Sequence, residues 1–363
     1  MIGISNSRTA IVKGKAVAQA LAGAWRAEPP SIAMSAQELG QVTPLLLETG
    51  AGALGWWRIR HSDLRTTPAG QQLQQAYRLH ALQAAVHAKH IAQAFAALRS
   101  AGVEPILAKG WAAARLYPEP GLRPYGDLDL CVSKEQYQVA LAAFGPGDAV
   151  QAPVDLKAGL YDLPGRSMDD VYSRSQLAPL GNVHVRVLGT EDHLRLLCLH
   201  LLRHGAWRPL WLCDVAAALE SMPQNFDWDY FMSGSKRHTA WVACVLGLAH
   251  RLLGAGLERT PLDEKAKRVP DWLVSEVLRR WESGHPTYED EPIMTTLRRR
   301  EGVARAIQQR WSSPITVGVR WRWPHSPLPA LPYQTADFAL QTIRYAKRLG
   351  RTGATNLVGH RAA

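Results

Sequence analysis

Pro124-Tyr125-Gly126-Asp127-Leu128-Asp129-Leu130-Cys131-Val132 decides how the rest of this chain is understood. Leu128 to Val132 has the apolar, β-branched character of a strand, and Gly126 opens it with a turn. Residues i and i+2 of a strand point to the same face. Asp127 and Asp129 therefore project side by side, while Leu128 and Leu130 point inward. Two carboxylates at that spacing repel each other unless a cation lies between them, and Mg²⁺ with its hard oxygen preference is the usual choice. A third carboxylate, Asp155 of Pro153-Val154-Asp155-Leu156-Lys157, is placed to join them from a neighbouring strand. Three such groups make a two-metal site for in-line phosphoryl or nucleotidyl transfer. An Asp-x-Asp pair by itself is more often a solvated turn, so the upstream context matters.

That context is Val103 to Tyr117, which reads VEPILAKGWAAARLY. Ile106 to Ala108 have the look of a short buried strand, Lys109-Gly110 of a tight turn, and Trp111 to Tyr117 of a helix. A strand, a glycine turn and a helix start aim backbone N–H groups and the helix dipole at one point, which suits an anion. Gly110 allows close backbone approach to phosphate, and Lys109 adds a point charge. The alternative is an ordinary strand-to-helix turn with a buried glycine. Arg123, four residues before Asp127, either contacts a triphosphate or pairs with a carboxylate to fix the loop.

Leu107-Ala108-Lys109-Gly110, followed by Leu116-Tyr117-Pro118-Glu119-Pro120-Gly121-Leu122-Arg123-Pro124-Tyr125-Gly126-Asp127-Leu128-Asp129-Leu130, resembles the bacterial uncharacterised nucleotidyltransferase family of the DNA polymerase β-like superfamily. Val154-Asp155-Leu156-Lys157 resembles that family's third-carboxylate strand, with Lys157 and Ala158 in place of the usual His and Trp. Val185 to Leu194, His200, His204 and Leu210 to Asp214 extend the similarity, which runs from about residue 80 to 220. The resemblance implies an Mg²⁺-dependent nucleotidyltransferase. ATP or another NTP would bind with its triphosphate at Lys109, Gly110, Trp111 and Arg123. Asp127 and Asp129 would hold two Mg²⁺ ions, and Asp155 would ligate the catalytic one and favour deprotonation of an acceptor hydroxyl. The acceptor is a small molecule, a peptide or other natural product, or an RNA end. Many superfamily members carry Gly-Ser or Gly-Gly at the phosphate turn; Gly110-Trp111 departs from that. Phosphoryl transfer at the same site and a catalytically degenerate nucleotide-binding module are the alternatives.

The 363 residues, 47% hydrophobic and 20% charged, fit a globular protein with more than one domain. Cys131, Cys198, Cys213 and Cys244 are far apart, which argues against a disulfide framework or zinc site and for reduced, buried thiols in the cytoplasm. No stretch of eighteen apolar residues indicates a transmembrane span. Arg8, Lys13 and Lys15 precede an apolar stretch, but Gln19 interrupts it and its alanine pattern suits a helix.

The net charge of +11 is concentrated at one end. From Arg298 onward twelve Lys or Arg face only Glu301 and Asp337, an excess of +10. Such a segment is either a partner surface for a polyanion, nucleic acid included, or a solvated face.

The expected fold is α+β. A small mixed sheet forms the catalytic core at 81–190, after an N-terminal helical region at 1–80. A C-terminal helical domain follows at 191–297, then a basic Trp/Pro-rich connector and terminal helix at 298–363. Ser35-Ala36-Gln37-Glu38 fits a capping box. Gly50 to Gly55 reads as a break, and Pro68 opens one long helix ending near Gly102. Asp169-Asp170 fits a helix cap, and Thr190 reads as an N-cap. Residues 312–333 read as an extended connector and 334–349 as a final helix.

His200 and His204 share a helix face; zinc binding at that spacing is weighed against packing between domains. Trp56-Trp57 and Trp321-Arg322-Trp323 are candidates for stacking a base or aromatic ring, or for the core. No Walker-type loop, GxGxxG fingerprint or nucleophilic triad pattern is present.

Overall fold

A computed structural model describes residues 7–144, 153–160, 163–262, 268–283 and 311–344. It divides into two units, Met1–His285 and Pro286–Ala363.

The first unit is α+β. Its N-terminal layer comprises α1 (Ser7–Leu21), α2 (Ala36–Glu48) and α3 (Gly52–Ile59). The capping box at Ser35 forms as the sequence indicates: its side chain accepts from the Glu38 amide while Glu38 reaches back. α4 (Pro68–Ser100) is a 33-residue spine, opened by Thr67 as N-cap with proline in the first turn. Its N-terminal end buries Leu73 against the helical layer. Its other end buries Ile91, Ala94, Phe95 and Leu98, at helical spacing, against the sheet.

The sheet has five strands: β1 (Ile106–Leu107), β2 (Leu128–Val132), β3 (Val154–Ala158), β4 (Gln176–Leu180) and β5 (Val183–Val187), in the order β3-β2-β1-β5-β4. β2 runs parallel to β3 and antiparallel to β1, while β5 runs parallel to β1 and antiparallel to β4. Leu128, Leu130 and Val132 join Leu107, Val185 and Val187 under α4. The alternation in β2 thus drives its leucines into the core and leaves its aspartates on the other face. Between β1 and β2 lies α5 (Trp111–Ala114); α6 (Tyr137–Ala142) and α7 (Met168–Arg174) follow β2 and β3. Helices α8 (Thr190–Arg203), α9 (Pro209–Glu220), α10 (Trp228–Met232) and α11 (Lys236–Leu253) continue the chain. α12 (Asp271–Ser283) returns to pack on α1. All four cysteines are buried. Among the described residues no helix is long and apolar enough to cross a membrane.

Four local expectations change. Helix α3 runs through Gly52 to Gly55, so the glycine-rich break shrinks to Gly50 and Ala51; Gly52 and Gly55 are buried where the helix packs closely. The helix expected over Trp111–Tyr117 stops at Ala114, because Pro118 disfavours helical backbone at Tyr117 and Pro120-Gly121 follow. β4 was not foreseen. Pro179 argues against a strand, but β4 is an edge strand, where a missing N–H is tolerated. The N-cap of α8 is Gly189, with Thr190 the first helical residue. Asp169 and Asp170 lie in the first turn of α7 behind the Ser167 cap, as anticipated.

In the second unit, Ser313 caps a helix over Pro314–Trp321 within the segment expected to be extended. Pro314 occupies the first turn, where proline starts helices. A second helix covers 331–344, with Pro332 likewise near its start. Of the twelve basic residues counted from 298 onward, only Arg320, Arg322 and Arg344 lie within the described residues. Arg320 pairs with Asp337.

Candidate active site

β2 and β3 set the site. Their parallel register puts Asp129 directly opposite Asp155 and Cys131 opposite Lys157. Asp127 precedes β2 by one residue on the same face as Asp129. Ligand oxygens of all three carboxylates lie within 4.8 Å of one another. Among the described residues this is the one acidic or thiol-imidazole cluster close enough to hold a metal ion. Asp129 is buried, whereas Asp127 and Asp155 are exposed.

Two ammonium groups converge on this cluster. Lys109 Nζ is 3.0 Å from Asp129 Oδ1, and Lys157 Nζ is 2.9 Å from the same oxygen and 3.0 Å from Asp155 Oδ2. Burial pulls the Lys157 ammonium down, but its hydrogen bonds to Asp129 and Asp155 outweigh that, so its pKa is raised. Cations therefore already sit among these carboxylates, and hard oxygen donors of this kind suit a divalent ion such as Mg²⁺.

Lys109 follows β1 by two residues, just after Ala108, whose amide donates to the Asp129 carbonyl. Gly110 follows with φ +62° and ψ −113°, a backbone open only to glycine. The amides of Ala112, Ala113 and Ala114 donate to the carbonyls of Lys109 and Gly110. Contact between this turn and an anion is thus confined to the Gly110 and Trp111 amides. With a helix of only four residues, the dipole adds less than a longer helix would. The Trp111 ring packs against the sheet core.

A cavity of about 330 Å³ opens over these groups. Lys109, Gly110, Arg123, Tyr125, Asp127, Asp129, His200, Arg208 and Trp211 are among the residues that line it. Arg123 reaches away from the carboxylates to Asp214 of α9. Its Nη2 donates to Oδ2 at 2.8 Å and its Nε to the two oxygens at 3.1 and 3.2 Å. Tyr117 donates to Asp214 Oδ1 at 2.8 Å. Of the two roles weighed for Arg123, carboxylate pairing is the one its guanidinium makes here. The loop carrying it is pinned to α4 at Gly121, whose φ is +88° and where a Cβ would fall 2.5 Å from the Ala81 nitrogen.

His200 and His204 lean on Trp211, with ring centroids 4.6 and 5.1 Å away. Burial, then the charge of Lys109, holds His200 well below its ordinary pKa; the same causes bring His204 to about 4. Both rings are neutral at pH 7 and serve as aromatic packing. Burial pushes the Tyr125 hydroxyl up to about 12, and that oxygen has no hydrogen-bond partner. Trp57 donates to the Arg26 carbonyl at 2.9 Å, which makes it a structural ring, while Trp321 and Trp323 of the second unit are exposed.

Arg208 and Trp211 were missed in the sequence. Arg208 donates through Nε to the Thr49 carbonyl at 2.6 Å, and its guanidinium stands 5.7 Å from the Trp211 ring. Burial draws its pKa to about 10, so it keeps its charge at pH 7. No spacing rule links it to Asp127, eighty-one residues earlier; only the fold brings them to one cavity.

No curated protein and no solved structure matches the chain. The model of the family described as "Uncharacterised nucleotidyltransferase" matches residues 36–145 and 151–254, more than half of the chain and the whole of the site. The residues quoted for the resemblance fall inside that match, and this chain belongs to the uncharacterised nucleotidyltransferase family.

Proposed function

We propose that this protein transfers a nucleoside monophosphate, AMP from ATP in the first instance, to a hydroxyl or similar acceptor, with release of pyrophosphate. The observation that carries this reading is the in-register pair Asp129 and Asp155 with Asp127 beside them, of which Asp127 and Asp129 line a cavity that also holds Lys109, Arg123 and Arg208. Asp127, Asp129 and Asp155 would hold Mg²⁺, which when bound would polarise the phosphate and offset developing negative charge. Lys109 and the Gly110 and Trp111 amides would bind the triphosphate. Arg208, still cationic at neutral pH, would add a further positive charge from the lining of the same cavity. Arg123 would act by fixing the loop between α5 and β2. Asp155, the exposed member of its pair, would take the proton of the acceptor hydroxyl. The acceptor oxygen would then bond to the α-phosphorus as the bond to the bridging oxygen of the leaving pyrophosphate breaks.

The width of the acceptor class, from small natural products and peptides to RNA ends, matches a cavity open to solvent rather than a sealed one. Incubation with α- or γ-labelled ATP, Mg²⁺ and a cell extract separates the choices. Label carried to an acceptor from the α position supports nucleotidyl transfer. Label carried from the γ position replaces it with phosphoryl transfer. Nucleotide retained without transfer makes the chain a binding module.

A further inference from the structure

Lys157 is held in the one place where a second cation would otherwise be needed. It lies two residues after Asp155 on β3, on the same face, and opposite Cys131 in the β2–β3 register. From there its side chain turns back over the rung formed by Asp129 and Asp155. Its ammonium bridges the two carboxylates at 2.9 and 3.0 Å. These are direct, charge-assisted contacts rather than a loose surface pairing. The lysine is only a quarter exposed on its side chain, and Asp129 is nearly closed off from solvent. A metal ion and this ammonium cannot share the space between the same two oxygens.

Charge leads to the same place. Three carboxylates carry three negative charges, and Lys109 and Lys157 return two of them. One divalent cation would leave a single positive charge. Two divalent cations on three carboxylates without lysines would leave the same. The electrostatic demand of the site is thus met by one metal ion together with the two ammonium groups.

Resting on the nucleotidyl-transfer reading, we propose that Lys157 stands in for one of the two metal ions of this site, so that the protein works with a single divalent cation held chiefly by Asp127 and Asp129. Lys157 is then a positioning residue: it neutralises Asp129 and Asp155, holds their oxygens at a fixed separation, and leaves Asp155 one exposed oxygen for the acceptor. A lysine does this without adjusting to the metal supply, but also without a metal's power to acidify a bound hydroxyl. The acceptor deprotonation therefore falls on Asp155.

The test counts metal. Mn²⁺ is titrated into the full chain with equimolar α,β-methylene-ATP, and the free ion is read by electron paramagnetic resonance against a nucleotide-only blank. One Mn²⁺ per complex is expected for the wild type and for Lys157→Arg, which keeps the cation. Lys157→Ala is expected to bind two, and to show a larger Mn²⁺-induced rise in melting temperature than the wild type. Two ions bound by the wild type would overturn the proposal and leave nucleotidyl transfer standing. So would one ion in both the wild type and Lys157→Ala. If Lys157→Ala does not fold, Lys157→Met takes its place, and a count of one there also overturns it. A wild type that binds neither Mn²⁺ nor nucleotide beyond the blank removes the proposal and the nucleotidyl-transfer reading together.

Discussion

Two of the acidic centres among the described residues are built in opposite ways. Asp214 of α9 is fully buried and is bonded by a forked arginine and a tyrosine hydroxyl, both buried and both carried on the loop between α5 and β2. Burial works against the Arg123 charge, yet Asp214 beside it keeps its pKa raised. The Asp127, Asp129 and Asp155 cluster is partly open, and its partners are lysines on long flexible stems. Arginine presents a planar fork that locks a carboxylate, while lysine presents a point charge that can be drawn away. The first centre therefore fixes loop to helix; the second leaves Asp127 open to a metal and the Lys109 ammonium available to a phosphate.

Swapping one carboxylate in each centre is the strongest way to break that contrast. Asp129→Asn is expected to lower turnover at least about a thousandfold, roughly 4 kcal/mol of transition-state stabilisation, because a charged ligand is lost. Its cost in stability is expected to be smaller, since Lys109 and Lys157 can swing toward the exposed Asp127 and Asp155 or toward water. Asp214→Asn should do the reverse. It strands the buried Arg123 charge and should cost about 3–5 kcal/mol in denaturant unfolding, while the fraction still folded keeps its metal site. Equal melting losses in the two variants would erase the distinction, as would a folded Asp214→Asn protein as inactive as Asp129→Asn.

The open centre was legible in the sequence and the closed one was not. Asp127 and Asp129 are two residues apart on one strand, so period-two geometry alone puts them on one face. Asp155 needed only the next parallel strand in register. Arg123 and Asp214 are ninety-one residues apart, and their pairing depends on how α9 packs beneath the α5–β2 loop. No local rule encodes that distance. The same limit hid Arg208 and β4. A lone arginine before Pro209 and a proline within a five-residue strand both read as loop until tertiary position is known.

Acidity offers a second, smaller separation of the two centres. His193, at the start of α8, is buried, and its Nε2 has no hydrogen-bond partner. Burial first, and then the charges of Arg115 and Arg123, lower its pKa to about 3. A histidine near 6.5 when unfolded takes up protons there before the folded one does. Its neutral burial thus contributes stability above about pH 6.5, and that contribution is lost as pH falls toward 3. Between pH 7 and pH 5 the loss is about 2 kcal/mol for this group. His193→Leu should flatten the decline of unfolding free energy by that amount. An unchanged slope would move the acid sensitivity to His200, which lines the open centre's cavity, and to His204 packed beside it.

Two arginines line the same cavity, one from each kind of centre, and they sharpen the contrast at its finest scale. Arg123 is committed to Asp214 and the Pro124 carbonyl. Arg208 holds the Thr49 carbonyl through Nε, has Nη2 over Gly50, and is among the residues that line the cavity. Arg208→Gln is expected to weaken ATP binding about tenfold, or ~1.4 kcal/mol, by removing one charge-assisted contact to the triphosphate. It should also flatten the dependence of binding on salt, because one cation no longer faces the polyanion. Arg123→Gln should leave the nucleotide affinity of folded protein nearly intact and lower its melting temperature instead. Calorimetry with ATP and Mg²⁺, paired with thermal unfolding of the same two preparations, distinguishes the roles. If Arg123→Gln loosens ATP without lowering the melting point, Arg123 is the triphosphate contact, and its bond to Asp214 is a resting position that gives way when nucleotide arrives.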